Sequence, residues 1–279
     1  MAVTWSDIQY NRLLELGAGG EEIDRRFSDS LEKNRAFQKL EQELSKQQRR
    51  RLQDFQEKKR RGGLIRMEES LARILVQEGF SQVSTPIIMS KGLLARMGIE
   101  EGHPLNEQIF WLDQKKCLRP MLAPHLYYVL IDLLRLWKKP VRIFEIGPCF
   151  RKESQGGRHS PEFTMLNLVE MGLEQELCKT RIRELADLVV KGAGIEEYAL
   201  ETEESDVYGE TLDIVTGEGL ELGSGAVGPH PLDKAWKVSE PWVGIGFGLE
   251  RLLMAGEGAA SLARVGRSLS YLDGIRLNL

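Results

Sequence analysis

The chain has 279 residues, of which 42% are hydrophobic and 29% charged, a composition typical of soluble globular proteins. A net charge of −4 gives no overall attraction to nucleic acid, so any contact with a polyanion must be local. The three cysteines, Cys117, Cys149 and Cys178, are far apart and none is in a CxxC pair, which argues against a disulfide framework or a zinc knuckle. No leader-like start and no membrane-length apolar run is present, so we expect a cytoplasmic protein without a membrane partner.

The first 60 residues predict helices, with a break at the "GAGG" of Gly17–Gly20. The segment Lys46–Arg61 holds eight Lys or Arg and two acidic residues, a local net charge of +6. A second break at Arg61–Gly63 indicates where the helical region meets the main fold. We therefore predict an N-terminal helical region over 1–62 and a core with a C-terminal tail over 63–279.

The next elements alternate helix and strand. Met67, Leu71 and Leu75 share one face of an amphipathic helix that should end near Gly79. The stretch "FSQVSTPIIMS" then predicts a strand containing Pro86, which cannot donate to a ladder and so belongs at an edge. A further helix, "APHLYYVLIDLLRLW", follows.

Two alternating segments, "VRIFEIGPCFR" and "EFTMLNLVEMG", predict a pair of strands joined by a loop, and "RIRELADLVVKGAG" predicts another amphipathic helix. Residues 195–221 hold ten acidic side chains and no basic one. Strands that pair through short loops, without a βαβ rhythm, favour an α+β fold with a largely antiparallel sheet flanked by helices.

The segment "GIGFGLERLLM" places Gly244, Gly246 and Gly248 on one face of a predicted strand and Ile245 and Phe247 on the other. The bare face is a floor on which a flat ring can lie. A helix should follow, whose first turn favours phosphate. A tightly packed junction, with Arg251 paired to a carboxylate, is an equally good reading of this segment alone.

A second group of residues changes that balance. Arg151 ends the strand before the loop, and Phe163 lies on the returning strand, so the two can grip an anionic ligand that carries an aromatic ring. Glu221 and Ser224 offer oxygen ligands of the kind that hold Mg²⁺ beside phosphates, although Glu221 is also part of the acidic run.

In this order, the parts resemble the three signature motifs of the class II aminoacyl-tRNA synthetases: a helix and strand ending at Pro86, the "FRKE" hairpin from Phe150 to Phe163, and "GIGFGLERLL". The resemblance implies the class II fold, a homodimer formed through the first motif, and ATP and Mg²⁺ as cofactors. It also implies catalysis by Arg151 and Arg251 and adenine held between Phe163 and Arg251, with Glu221 and Ser224 as metal ligands. The full ATP site it implies is Arg151, Glu153, His159, Phe163, Glu221, Ser224, Gly246, Gly248 and Arg251.

Longer segments, among them "CLRPMLAPHLY", "VYGETLDI", "AVGPHPLD" and the tail "RSLSYLDGIRLNL", resemble the pyrrolysine-specific family of this class over nearly the whole chain. That resemblance implies a ligase that charges tRNA(Pyl) with pyrrolysine, a long lysine derivative. It implies an apolar slot in which Asn167 bonds an amide carbonyl and Tyr208 belongs to a lid. The slot residues are Ala123, Leu126, Tyr127, Leu130, Asn167, Val169, Tyr208, Trp242 and Gly244.

From periodicity alone, Leu126 and Leu130 would be plain helix core. Four positions, His125, Phe150, Pro161 and Gly225, depart from the family pattern, but none is a proposed phosphate or metal ligand. The extra basic tRNA-binding module of some members is missing, so we expect a free-standing catalytic subunit, with a separate tRNA-binding protein left open as a partner.

A basic run of this kind is equally typical of a solvated helix face, but the resemblance implies a tRNA. The expected tRNA surface is Lys46, Arg49, Arg50, Arg51, Lys58, Lys59, Arg60 and Arg61. Arg264, Arg267 and Arg276 in the tail are further candidates. Two other functions stay open: an adenylate-forming ligase without a tRNA acceptor, and a non-catalytic RNA-binding relative. The second would be expected to lose Arg151, Glu221 or Arg251, and all three are present.

Overall fold

The structure, a computed structural model, describes residues 3–152, 160–259 and 261–279. Its helices are α1 (Asp7–Leu16), α2 (Gly20–Ile23), α3 (Ser30–Asp54), α4 (Gly63–Gln77), α5 (Lys91–Ala95), α6 (Pro104–Glu107), α7 (Ala123–Leu136), α8 (Cys178–Gly192), α9 (Asp233–Trp236), α10 (Leu249–Glu257) and α11 (Leu262–Val265). Its strands are β1 (Ser81–Gln82), β2 (Ile88–Ser90), β3 (Lys116–Leu118), β4 (Val141–Phe150), β5 (Glu162–Met171), β6 (Ala199–Ser205), β7 (Gly209–Val215), β8 (Glu221–Gly228), β9 (Trp242–Gly248), β10 (Tyr271–Leu272) and β11 (Ile275–Arg276).

The chain divides into two units, one of Met1–Gly63 with Ser268–Leu279 and one of Leu64–Arg267. The first division is one residue away from the predicted boundary. The tail differs from the sequence prediction, which placed it with the core. It packs in the first unit, where Ile275 is buried and Leu279 lies against an apolar cluster of α1 and α3.

The first unit is helical, as predicted. Ser6 caps α1 by accepting a hydrogen bond from the Gln9 N–H, and α1 ends at Gly17, whose φ of 89° lies in the left-handed region that glycine tolerates. This confirms the break at "GAGG". After α3, a π-helical turn covers Phe55–Lys59. Within the described ranges, no helix of the chain is long and apolar enough to span a bilayer.

The second unit is built on a seven-stranded sheet in the order β1-β4-β5-β9-β8-β7-β6. All neighbours are antiparallel except β1 and β4. The predicted α+β class is therefore confirmed. The predicted strand pair is also confirmed, since β4 and β5 pair over their full length from Val141↔Met171 to Phe150↔Glu162.

The predicted strand containing Pro86 is wrong. The segment forms two short strands instead, β1 at the edge of the main sheet and β2 in a separate ribbon with β3. Between them, side chains satisfy the backbone: Thr85 N–H donates to the Glu145 carboxylate at 3.1 Å, and Arg119 donates to the Thr85 carbonyl at 3.2 Å. Because these side chains bond the Thr85 backbone and Pro86 has no N–H to donate, this part of the segment requires no strand partner.

The two faces of the sheet bury different clusters. On one face, α4, α8 and α10 pack against alternate strand residues in a cluster that includes Leu166, Leu168, Ile245 and Phe247. On the other face, α7 and the β2–β3 ribbon pack over β4 and part of β5. The middle of that second face is left uncovered, and the candidate site lies there.

Candidate active site

Three glycines of β9 form the floor of the site. By register, Gly248 lies beside Met165, Gly246 beside Asn167 and Gly244 beside Val169, and directly paired residues share a face. Ile245 and Phe247, on the opposite face, are completely buried. The predicted alternation is confirmed.

A single cavity of about 460 Å³ lies over this floor. It joins two chemically different ends. The predicted ATP residues that line it are Arg151, Phe163, Glu221, Ser224, Gly246, Gly248 and Arg251. The predicted slot residues that line it are Ala123, Tyr127, Leu130, Asn167, Val169, Tyr208, Trp242 and Gly244.

Arg151 is fixed at the mouth of the β4–β5 hairpin. Its Nε donates to the Pro120 carbonyl at 2.9 Å, and its Cζ lies 5.3 Å from the centre of the Phe163 ring. Phe163 opposes Cys149 in the β4–β5 ladder, next to the turn. The arginine and the ring thus form one wall of the cavity, suited to a ligand that is both aromatic and anionic.

Arg251 lies in the first turn of α10, where the glycine floor ends. Its Nη1 is 3.2 Å from the Glu221 carbonyl and 3.4 Å from the Glu221 carboxylate. The guanidinium is therefore paired to a carboxylate, as the packed-junction reading predicts, but the pair faces the cavity. Half of the Glu221 side chain is exposed, so the pairing leaves both groups within reach of a ligand.

Glu221 and Ser224 face the same side because β8 carries a bulge. Val215 pairs with Glu221 while Ile214 pairs with Gly223, so Leu222 is an extra residue on β8. In a regular strand, residues three apart would point to opposite faces. Ser224 donates to Asp213 at 2.6 Å, which leaves its oxygen lone pairs available. A carboxylate and a hydroxyl of this kind fit Mg²⁺.

The other end of the cavity is aromatic and mostly apolar. The rings of Tyr127 and Trp242 meet edge to face at 5.8 Å, and Tyr208 lies 6.2 Å from Trp242. Asn167 donates through Nδ2 to the Ile245 carbonyl at 2.8 Å. This contact holds the amide in place with one of its two N–H groups, and the other can serve a ligand.

Of the predicted ATP and slot residues within the described ranges, Leu126 is not among the lining groups. Leu126 is fully buried in the core around α7, which is its reading from helical periodicity. It is adjacent to Tyr127 but turned by about 100° around the helix, which removes it from the cavity. Glu153 and His159 lie outside the described residues.

A buried polar network lies behind β4. Arg119 and Glu145, each 2% exposed, form an ion pair of 2.7 Å, and Thr85 donates to Glu145 at 2.6 Å. The ring of His125 lies 3.3 Å from the Thr85 hydroxyl. Burial, helped by the Arg119 charge, lowers the pKa of His125, while Glu145 opposes the shift. His125 is thus held neutral at pH 7.

The Glu250 carboxylate, in the "LERLL" segment, is also buried. It accepts two hydrogen bonds from Thr164, through the N–H and the hydroxyl, at 2.9 Å each, and lies 3.5 Å from Arg267. Burial raises the pKa of Glu250 even though these bonds oppose the shift. These contacts join α10 to β5 and so fix the position of the first turn of α10, which carries Arg251.

The predicted tRNA surface lies in the first unit. All eight basic residues are exposed, on the end of α3 and in the turns that follow. Of the tail candidates, Arg276 pairs with Glu15 at 3.3 Å and is mostly buried, and Arg267 pairs with Glu162 and Glu250. These two arginines are used inside their own units.

Sequence reasoning missed several groups that line the cavity or hold its lining residues in place. Asp213 orients Ser224, a pairing that follows from the β7–β8 register and not from any local motif. His103, Leu105 and Gln108, from the segment around α6, also line the cavity. The only local signal there is the His-Pro helix start, which predicts a cap and no ligand.

These features define a class. Residues 52–268 match the family described as tRNA synthetases class II core domain (F). Among sequence relatives, the phenylalanine–tRNA ligase alpha subunit of Prochlorococcus marinus is 27% identical over 208 residues, which is 68% of this chain and 56% of that protein. The chain spans between 15% and 56% of the length of the first curated relatives it matches. The chain belongs to the class II aminoacyl-tRNA synthetases, a class of ligases.

Solved structures narrow this further. A crystal structure of pyrrolysyl-tRNA synthetase from Desulfitobacterium hafniense is 54% identical, with a TM-score of 0.94 and full coverage of both chains. A second structure from that organism is 53% identical, with a TM-score of 0.91, and covers 100% of this chain and 96% of the other. Within its class, the chain belongs to the pyrrolysyl-tRNA synthetase family.

Proposed function

We propose that this protein activates pyrrolysine with ATP and transfers it to the 3′ end of tRNA(Pyl). The observation that carries the proposal is the single cavity in which an arginine-lined end meets an apolar, aromatic slot. A nucleotide and a long amino acid would lie end to end in it, with the amino-acid carboxylate brought to the α-phosphate.

In the first step, a carboxylate oxygen forms a bond to the α-phosphorus while the bond to the β-phosphate oxygen breaks and pyrophosphate leaves. In the second step, a ribose hydroxyl of the terminal adenosine attacks the acyl carbon, AMP leaves and the hydroxyl proton is lost. Carboxylate is already a nucleophile and AMP a good leaving group, so no side-chain nucleophile is required. Arg151 and Arg251 would orient the phosphates and stabilise their growing charge.

Phe163 and Arg251 would hold adenine over Gly246 and Gly248, with Glu153 and His159 as further proposed contacts. Glu221 and Ser224 would hold Mg²⁺, which neutralises phosphate charge when bound. Asn167 would bond the amide carbonyl of the side chain. Ala123, Tyr127, Leu130, Val169, Trp242 and Gly244 would enclose the rest, and Tyr208 would close over it.

The test is ATP–pyrophosphate exchange with pyrrolysine and a series of Nε-acylated lysines, followed by charging of a tRNA(Pyl) transcript. Arg151→Ala should lower exchange by roughly a hundredfold or more without unfolding the protein. Arg135→Ala, a change at an exposed residue on α7, is the matched control and should leave exchange normal. Near-normal exchange in Arg151→Ala would refute the role of Arg151. Adenylate formation without tRNA charging would instead indicate a ligase with another acceptor.

We also propose that tRNA binds the basic surface Lys46–Arg61. Exposure of all eight cations supports this. Replacing Arg49, Arg50 and Arg51 with Gln should weaken tRNA binding and flatten its salt dependence, with exchange intact. Equal charge removed from α8, at Lys179, Arg183 and Lys191, should do neither. Unchanged affinity across a salt series would exclude this surface.

A homodimer is proposed through the first motif. Next to Pro86, Ile87 and Ile88 are 44% and 52% exposed, and Val76 near the end of α4 is 55% exposed. Ile87 and Ile88 are adjacent in sequence, and a dimer interface at the first motif would cover the apolar surface that they expose. Replacing Ile87 and Ile88 with Ser should produce a monomer in sedimentation experiments. We place the protein in the cytoplasm, where tRNA is used, and a separate tRNA-binding protein stays a proposed partner.

A further inference from the structure

One buried carboxylate has no part in the mechanism above. Asp233, at the start of α9, is 2% exposed and accepts three hydrogen bonds. The donors are the Tyr127 hydroxyl at 3.1 Å, the Trp242 Nε1 at 2.8 Å and the His230 backbone N–H at 2.6 Å. All three donors are neutral. Burying a carboxylate among neutral groups is costly unless hydrogen bonds compensate. Each of the three donors is therefore held in place by the cost of leaving the carboxylate without it.

Two of these donors form the aromatic wall of the slot. Tyr127 comes from α7 and Trp242 from β9, and both line the cavity. Tyr127 stacks on Trp236 at 5.2 Å and meets Trp242 edge to face. Because Asp233 accepts from both polar groups, the hydroxyl and the indole N–H point away from the cavity. These two residues therefore line the slot with the surfaces of their rings and not with their polar atoms.

Gly228 gives independent support for a fixed indole position. A Cβ atom on Gly228 would lie 1.8 Å from Trp242 Nε1, so the indole rests against bare backbone of β8. Only glycine permits this approach. The indole is thus restrained on one side by main chain and at its nitrogen by a carboxylate.

We infer that Asp233 is a positioning residue that sets the amino-acid specificity of the slot without touching the substrate. This inference rests on the proposed function. Asp233 holds the two rings at the depth and angle that admit a long side chain. Without it, the Trp242 indole and the Tyr127 hydroxyl lose the acceptor that sets their ring angles, and the slot loses its selectivity while the ATP end is unaffected.

The chemistry of the side chain gives a graded test. Asn at position 233 has one oxygen, which can accept from Trp242 and His230, and an amide that can donate to the Tyr127 hydroxyl with its direction reversed. Leu at this position can accept from none of them. Asp233→Asn should therefore be the milder change, and Asp233→Leu the more severe.

The experiment is ATP–pyrophosphate exchange with separate titration of ATP and of a long and a short Nε-acylated lysine. In Asp233→Asn, the KM for the long amino acid should rise about tenfold, because hydrogen bonds to a charged carboxylate become weaker hydrogen bonds to a neutral amide. The KM for ATP should change less than about twofold, and the preference for the long over the short derivative should fall. Adding Tyr127→Phe to Asp233→Asn should have less effect than it has alone, since the two side chains act as a pair.

Glu170→Gln is the matched control. Glu170 is also 2% exposed but faces the opposite side of the sheet, where it pairs with Arg142 at 2.8 Å and Arg181 at 2.7 Å. It should lose thermal stability with both KM values unchanged. The inference is overturned if Asp233→Asn behaves like this control, or if its KM values for ATP and amino acid rise together. If the unaltered protein exchanges with no lysine derivative, the proposed function fails instead.

Discussion

The two faces of the central sheet come from the same strands but differ in what they contact. On the closed face, Phe247 and Ile245 are fully buried beneath α8 and α10. On the open face, one residue along in each case, Gly246 and Gly244 leave the backbone bare under a cavity. Along β9, the packed side chains therefore lie on one face and the cavity lies on the other. Because successive residues of a strand point to opposite faces, β9 alternates between residues that pack in the core and residues that line the cavity.

The largest expected effect tests that separation with two phenylalanines. Phe247→Ala should lower the free energy of unfolding by about 3–5 kcal/mol, because a fully buried ring leaves a cavity. Its KM values for ATP and amino acid, measured on the folded protein, should stay near normal. Phe163→Ala, on the open face, should show the reverse pattern, with stability largely kept and the KM for ATP raised. Urea unfolding measures the stability of the two variants, and ATP–pyrophosphate exchange measures their KM values. Equal losses of stability would show that the two faces do not differ in this way.

Two glycines on neighbouring strands give the next test. A Cβ on Gly223 would lie 2.6 Å from the Gly246 carbonyl and from the Phe247 ring, so the backbone must shift. A Cβ on Gly246 would lie 3.1 Å from the end of Met165, a flexible side chain that can move. We expect Gly223→Ala to cost about 1–3 kcal/mol of stability and Gly246→Ala to cost less than about 1 kcal/mol.

The functional outcomes should be reversed, because the methyl group of Gly246→Ala stands on the floor proposed for adenine. Nucleotide titration of both variants measures this. If Gly246→Ala binds ATP normally, the glycine face is a packing feature.

A smaller effect concerns pH. The pKa of His125 is lower in the folded chain than the ordinary value of 6.5, because burial and Arg119 disfavour the imidazolium beside Thr85 and Glu145. The unfolded chain therefore binds the proton more readily, and the stability from the neutral ring is present above pH 6.5 and lost as the pH falls below it. His125→Asn should flatten the decline in unfolding free energy on acidification. A slope unchanged from the unaltered protein would mean that other groups cause it.

The smallest expected effect is the reactivity of two buried thiols, which tests how far the cavity extends over the sheet. Cys149 is on the same side as Phe163, but it is fully buried, and burial raises its pKa to about 12. Burial likewise raises the pKa of Cys117 to about 11. Both should resist iodoacetamide at pH 7.5 in the folded protein and react after urea unfolding. Rapid labelling of Cys149, followed by peptide mass spectrometry, would show that the cavity extends over β4.

The sequence predicted the strands with clear alternation, β4, β5 and β9, and with them the glycine floor and both arginines. It did not predict the β6–β7 hairpin, because "ALETEES" is rich in Glu and poor in the residues that favour strands. The Pro86 strand failed because Arg119 and Glu145, distant in sequence, replace its ladder bonds. Leu126 was assigned to the slot by resemblance and lies in the core. Asp213 and Asp233 depend on strand register and loop path, which no local pattern contains.

The bulge at Leu222 has a consequence for the sequence spacing of the two proposed metal ligands. Remove that one leucine and β8 becomes regular, with Glu221 and Ser224 two residues apart, so the two side chains still point the same way. A family member with that one-residue deletion would therefore keep the proposed cation pair on one face. A search for the two letters at a fixed separation of three residues would wrongly discard it.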